Sequence, residues 1–326
     1  MPPLLIVLIG LALFAGLING LLGSGNIVAT MVASRAFRPP VALLLTAAAE
    51  FIGPLIFGVA VARTIGRDLV APAAVSLQMI VAALAAADVW NLITWRLAIP
   101  SSSSHALVGG LVGAVGVGAG WQAVQLDVLL KILVALFLSP VLGLVVGFLL
   151  TRLIFFLAQR ATPRVNMFFK YAQIVTAVAL ALSHGANDAP KTMGVITLGL
   201  VTAGYLSQFI VPFWVIAASS GLLALGTTLG GWRLIQKLGG RFYKIRPVHA
   251  FSAQLTAAIV VLGSSLLGGP VSATQVVSSA IMGVGSAERL SKVRWGVGGE
   301  LATAWLLTIP VTALLAAGMF WVLVRI

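Results

Sequence analysis

The chain has 326 residues, 60% of them hydrophobic and 8% charged, with a mean hydropathy of +1.11; no soluble domain of this size needs so much apolar surface, so the composition gives a polytopic membrane protein. The net charge of +13 would suggest nucleic acid in a soluble protein, but here the basic residues sit mostly in short loops and point to the anionic cytoplasmic leaflet, with no nucleic-acid partner. The absence of cysteine excludes disulfides, thiolate metal sites and thiol catalysis.

Ten apolar segments follow in chain order, at roughly 3–34, 41–62, 69–93, 101–119, 125–154, 167–201, 207–229, 247–268, 272–286 and 298–324. The first, beginning at Pro3, has no basic n-region and no small-residue cleavage site, so a cleaved signal peptide is not expected. The first and sixth are too long for one straight span: about 32 helical residues reach roughly 48 Å, against a hydrocarbon core of about 30 Å. Gly-rich or polar interruptions at mid-depth predict broken helices in both. Glu50 lies inside the second segment and needs a proton, a cation or a partner on another helix. Asp88, Asn91 and Arg96 close the third and read as an interfacial network. The short segments 101–119 and 272–286 either span or re-enter as hairpin halves. Trp121 and Trp295 read as interfacial belt residues, His249 as a residue without chemistry beside a basic loop, and Glu300 as a solvated acid opening the last segment.

The sixth segment carries the densest polar run, Ser183-His184-Gly185-Ala186-Asn187-Asp188-Ala189-Pro190-Lys191-Thr192-Met193-Gly194. A charge at bilayer depth costs about 2.5–3.5 kcal/mol on insertion scales, so such residues face a site or a partner. Pro190 has no N–H and Gly185 is permissive, which predicts a break and a new half-helix near Asn187 or Asp188. Asp188 makes sense if it binds a cation, is protonated, or pairs with Lys191. Asn187 offers a neutral oxygen that suits sodium.

Placing the loop after segment five inside, and alternating outward, puts 15 of the 20 basic residues in inside loops. These are Arg35, Arg38, Arg96, Arg152, Arg160, Arg164, Lys170, Arg233, Lys237, Arg241, Lys244, Arg246, Arg289, Lys292 and Arg294. Both termini are therefore expected outside. An internal repeat accompanies this. Asn19-Gly20, followed by Gly23-Ser24-Gly25-Asn26, parallels His184-Gly185, followed by Asp188-Ala189-Pro190-Lys191. Pro100-Ser101-Ser102-Ser103-Ser104-His105 parallels Pro270-Val271-Ser272-Ala273-Thr274-Gln275 at a similar offset. Five segments per half is odd, so the halves, 1–160 and 161–326, enter the membrane from opposite sides. The expected fold is all-α: an inverted repeat of about 5+5 transmembrane segments with broken or half helices, the signature of a secondary transporter.

Pro100 and Pro270 halt the segments before them, and the Ser and Thr that follow can cap new half-helices. Free N–H groups and the positive dipole end then make an anion site, with hydroxyls at Ser102, Ser104, Ser272 and Thr274 as further donors. The alternative is that these serines only satisfy backbone groups or ease helix packing. His105, with Gln275 as its counterpart, either donates to substrate, carries a proton, or is a packed histidine at a helix start; His184 is similar.

At these residues the chain resembles the inorganic phosphate transporter (PiT) family. Gly185-Ala186-Asn187-Asp188 with Lys191-Thr192-Met193-Gly194 is similar to the family's C-terminal signature. Trp90-Asn91, the run from Pro100 to Gly110, Pro270-Val271-Ser272 and Val293-Arg294-Trp295-Gly296 are similar to its other blocks. The resemblance implies an inverted-repeat transporter, often dimeric, that moves phosphate with sodium or protons. Phosphate would contact the Ser/Thr turns and the two broken helices, and cations the paired Asn-Asp motifs. The chain departs from the pattern where Leu22-Gly23 replaces an acid or amide pair and where Gln275 stands for a frequent His. Losing that first carboxylate favours proton coupling over the usual sodium stoichiometry, and a sulfate-transporting relative of the family keeps sulfate as an alternative substrate.

The expected activity is import of inorganic phosphate across the cytoplasmic (inner) membrane by proton or sodium symport, in a lipid-embedded homodimer without a cofactor. The coupling ion falls to Asn187, Asp188 and Glu50, with Asn187 and Asp188 as sodium ligands. The anion falls to Asn26, Ser102, Ser104, His105, Lys191, Thr192, Ser272, Thr274 and Gln275. A sulfate or other oxyanion permease and a passive anion channel or exchanger are the competing readings. A hydrolase is not expected: there is no G-x-S-x-G turn and no second mid-membrane aspartate opposite Asp188.

Overall fold

The ten apolar segments become eleven α-helices among the described residues, because the second is cut at Gly58. This computed structural model describes residues 1–33, 38–97, 99, 101–160, 162, 164–238, 246–293 and 295–325, without the side chains at 24, 26, 29, 30, 33, 231–238, 292, 297, 300 and 301. The helices are α1 (Pro3–Ala33), α2 (Pro39–Phe57), α3 (Ala60–Arg63), α4 (Leu77–Arg96), α5 (Ser103–Gly118) and α6 (Leu126–Leu157), then α7 (Val165–Thr202), α8 (Phe213–Leu238), α9 (Pro247–Leu266), α10 (Ala273–Glu288) and α11 (Trp295–Leu323). Gly58 ends α2 at φ 82°, where a Cβ would be strained. Eight helices are long and apolar enough to cross a membrane: α1, α2, α4, α6, α7, α8, α9 and α11.

The expected breaks in the two longest segments are absent. α7 runs unbroken for 38 residues with Pro190 inside it, and α1 for 31 residues through Gly20 and Gly23. Proline removes one donor, the one that would meet the Ala186 carbonyl, and the turns on either side carry the helix past it. The glycines serve close crossing instead of hinging. A Cβ on Gly185 would run into the Glu50 backbone of α2, and one on Gly53 into the Leu182 carbonyl of α7. A Cβ on Gly20 would likewise meet the Leu223 carbonyl of α8. Small residues let helix backbones approach where lipid gives no hydrophobic drive to associate.

The short helices are α5 and α10, 16 residues each, or about 24 Å. Each folds back on the helix before it. The base of the α4–α5 hairpin is pinned by a bridge between Val70 and Val124, with Ala71 N–H donating to Ala123 O at 2.9 Å and Gln125 N–H to Leu69 O at 2.9 Å. At the base of the α9–α10 hairpin, Glu288 faces Arg246 at 4.0 Å and His249 at 3.5 Å. The tips meet: Ser104 at the start of α5 donates to Val271 O, just before α10, at 2.9 Å.

Packing between the earlier and the later helices is reciprocal. α1 lies along α8 and α2 along α7; α5 lies on α11 and α6 on α10. α11 thus covers the α4–α5 hairpin and α6 the α9–α10 hairpin. One core, around Leu84, Leu111 and Met193, joins α1, α4, α5 and the second part of α7. A second, around Leu180, Val261 and Val276, joins α2, α9, α10 and the first part of α7. Outward faces of α6 and α11 carry exposed Leu130, Leu149, Leu306 and Leu314, as lipid-facing helices do.

Candidate functional site at the meeting of the hairpin tips

α5 opens on Ser102, whose hydroxyl accepts from His105 N–H at 3.3 Å and lies 2.7 Å from His105 Nδ1. The cap is therefore satisfied within its own first turn. α10 opens on Ser272, which makes no side-chain cap bond, so its first N–H groups keep their donors. Between the two starts sits Lys191 of α7. Its ammonium donates to Asp188 Oδ1 and Ser104 Oγ, each at 2.5 Å, and to Val271 O at 2.9 Å. All three of its donors are thereby used.

Asp188 anchors a buried chain of charges. Its Oδ2 accepts from Asn19 Nδ2 of α1 at 3.0 Å and lies 3.0 Å from His184 Nε2. His184 Nδ1 in turn lies 2.7 Å from Glu50 Oε1 of α2. Thr227 of α8 donates to Glu50 Oε2 at 2.5 Å. None of Glu50, His184, Asp188, Lys191 or Thr227 is more than 4% exposed. Both ring nitrogens of His184 face carboxylate oxygens, and both donate at once only in the imidazolium. In that form two carboxylates face two cations, which is how charge is tolerated away from water.

Asn19 Oδ1 accepts from Ser103 Oγ at 2.7 Å. Beside this contact lies a cavity of about 30 Å³ lined by Asn19, Asp88, Asn91, Ser103, Asp188, Lys191 and Thr192. That is room for a water or two, since about 10–15 Å³ of such space holds one. It can hold a bare cation or a water.

The structure brings Ser104, Lys191, Thr192, Asp188 and Glu50 into this network or its cavity, with Ser102 and Ser272 at the two helix starts. Gln275 Nε2 lies 3.5 Å from His105 Nδ1, and His105 packs edge-on to Phe137. Thr274 stands half-buried in the first turn of α10. Asn187 faces away from Asp188's partners. Its Nδ2 donates to Ser265 Oγ at 2.9 Å and Gly269 O at 3.5 Å, tying α7 to the tip of the α9–α10 hairpin. Pro100, Arg35, Arg241, Lys244 and Arg294 lie outside the described residues, as do the side chains of Ser24, Asn26, Thr30, Arg233, Lys237, Lys292 and Glu300.

Asp88 and Asn91 correct the expected interfacial network, and Asp88 also corrects the expectation that no second buried aspartate accompanies Asp188. They are 3% and 4% exposed and line the central cavity, while Arg96 is exposed. Asp88 lies eight residues before Arg96, about 12 Å along the helix. The depth rule applied to Asp188 and Glu50 would have found it. Asn19 was legible only as a repeat motif, since its contact with Asp188 depends on α1 crossing α7.

The phosphate transporter family profile matches residues 19–316. A Rhizobium meliloti (strain 1021) protein described as "Probable low-affinity inorganic phosphate transporter" is 44% identical, over 97% of this chain and 95% of its own. One of the same description from Bacillus subtilis (strain 168) is 40% identical, over 98% and 97%. A solved structure described as "The sodium-dependent phosphate transporter" superposes with a TM-score of 0.90 at 26% identity, covering 99% of both chains. With a profile match across most of its length and full-length relatives at this identity, the chain belongs to the phosphate transporter family.

Proposed function

We propose that the protein imports inorganic phosphate across the cytoplasmic membrane by symport with a cation. The observation that carries this reading is the Lys191 ammonium seated where the starts of α5 and α10 meet end to end. Two helix N-termini, one buried ammonium and the hydroxyls of Ser104, Ser272 and Thr192 make a donor-rich centre for an oxyanion. Lys191 exchanges its bonds to Ser104 and Val271 for phosphate oxygens, and Asp188 stays beside it. Because Asp188 shares that ammonium, Lys191 offsets the anion's charge only in part, which supports entry of a cation or proton together with the phosphate.

The reciprocal packing supports reading residues 1–160 and 161–326 as an inverted repeat. Two helices of about 24 Å meeting tip to tip would fill a membrane that neither crosses alone. Rocking one hairpin against its covering helix then opens the centre to one side at a time.

The test is uptake of radiolabelled phosphate by proteoliposomes under an imposed sodium or proton gradient. The unaltered protein is expected to accumulate phosphate above equilibrium, and Asp188→Asn to lose that accumulation. Flux that only equilibrates, whatever the gradient, would make it a passive anion pathway. Counterflow with sulfate in place of phosphate is expected to fail; success would reassign the substrate.

A further inference from the structure

One charge in the centre has no counter-charge. Glu50 and Asp188 are matched by His184 and Lys191, but neither oxygen of Asp88 has a hydrogen-bond partner among the described residues, and nor does Asn91 Oδ1. Both side chains are more than nine-tenths buried and both line the cavity of about 30 Å³. Asp88 and Asn91 are three residues apart on α4, on one helix face. An isolated ionised carboxylate is among the most expensive groups to hold away from water, so these atoms require an occupant.

The unsatisfied atoms are all acceptors. An anion is therefore excluded, and a water has two hydrogens for three oxygens and leaves the charge unbalanced. A proton would neutralise Asp88 but satisfy one further acceptor at most. A divalent ion gathers six or more oxygens, usually with more than one carboxylate, and the second acid on the cavity wall, Asp188, is already matched by His184 and Lys191. A monovalent metal cation meets all three oxygens and balances the charge.

We propose that Asp88 and Asn91 of α4, with Ser103 Oγ across the cavity, form a binding site for a monovalent cation, with sodium as the ion whose gradient runs inward. The site shares its cavity wall with Asp188 and Lys191, so filling it neutralises the approach to the oxyanion centre. Its role in uptake rests on the symport reading, whereas the binding itself does not.

Radiosodium binding to the purified full-length protein in detergent tests the site, with phosphate uptake measured in parallel on the same variants. The unaltered protein is expected to bind sodium saturably. Asp88→Asn is expected to bind it at least about tenfold more weakly, and to melt no lower in choline buffer because it sheds an unmatched charge. Asn91→Ala keeps the acid and is expected to weaken sodium binding as well; it carries the test should Asp88→Asn fail to fold. Asp88→Asn with unchanged sodium affinity, or an unaltered protein that binds none, overturns the site. Proton-driven phosphate uptake without sodium binding would also overturn it while leaving the symport reading standing. Loss of phosphate uptake with intact sodium binding would do the reverse.

Discussion

Lys191 holds together three things that would otherwise repel or drift: the Asp188 carboxylate, the first turn of α5 through Ser104, and the carbonyl before α10. A hydrogen bond to a charged group contributes about 1.5–3 kcal/mol. Lys191→Met is therefore expected to lower phosphate kcat/KM by roughly 10–100-fold, read from initial uptake rates. It should also lower the melting temperature, because Asp188 loses one of its matched cations in a dry site. Ser104→Ala removes one of those three bonds and one donor to Val271, and is expected to raise the phosphate KM with a smaller loss of stability. Asp188, Lys191 and Glu50 were legible in the sequence, since an ionisable residue inside an apolar run stands out by cost alone. So was their nearest pairing, Asp188 with Lys191. Asp188 and Lys191 sit one turn apart and invite a local bridge, but the His184 contact to Glu50 depends on α2 crossing α7.

That crossing belongs to the helices, and glycine sets its depth. Gly185→Ala places a methyl group against the Glu50 backbone, and overpacking of this kind costs about 1–3 kcal/mol. A lowered melting temperature is expected, with uptake reduced because Glu50 and His184 are forced apart. Pro190→Ala should behave in the opposite way. α7 is already helical at that position, so restoring an N–H is expected to leave the melting temperature equal or higher. A clear drop would mean that the proline ring is itself needed for packing. Gly185 and Pro190 read as a helix break in sequence because both are local breakers. What overrides them is tertiary: α7 is in contact with α1, α2, α8 and α9, and that packing outweighs one missing hydrogen bond. The serine-started helices were legible for the complementary reason. A proline followed by hydroxyl residues is a start signal that no later packing contradicts.

At the scale of the whole molecule, transport by rocking requires each hairpin to move against the helix that covers it. Ser101 Oγ, at the α4–α5 tip, lies 3.3 Å from Thr308 Oγ1 of α11, and the chain contains no cysteine to confuse a cross-link. Ser101→Cys combined with Thr308→Cys is expected to transport when reduced, to stop when oxidised, and to recover with reductant. Uptake that survives oxidation would place the moving surface elsewhere. Two matched motifs were visible in the sequence. Which hairpins α6 and α11 cover was not, because outward-facing leucine helices carry no mark of the partner they pack on.

The cover that α11 gives α5 has a consequence for how the protein is made. Gly109 and Gly113 of α5 sit against α11 at Ile309, Thr312 and Ala313 with no room for a Cβ, and α11 is translated well after α5. Until it inserts, the glycine face of α5 is bare to lipid, and a nascent chain halted after α10 should be recognised by membrane quality control as unfinished. The α4–α5 hairpin is completed by a helix translated much later, so neither matures without the other.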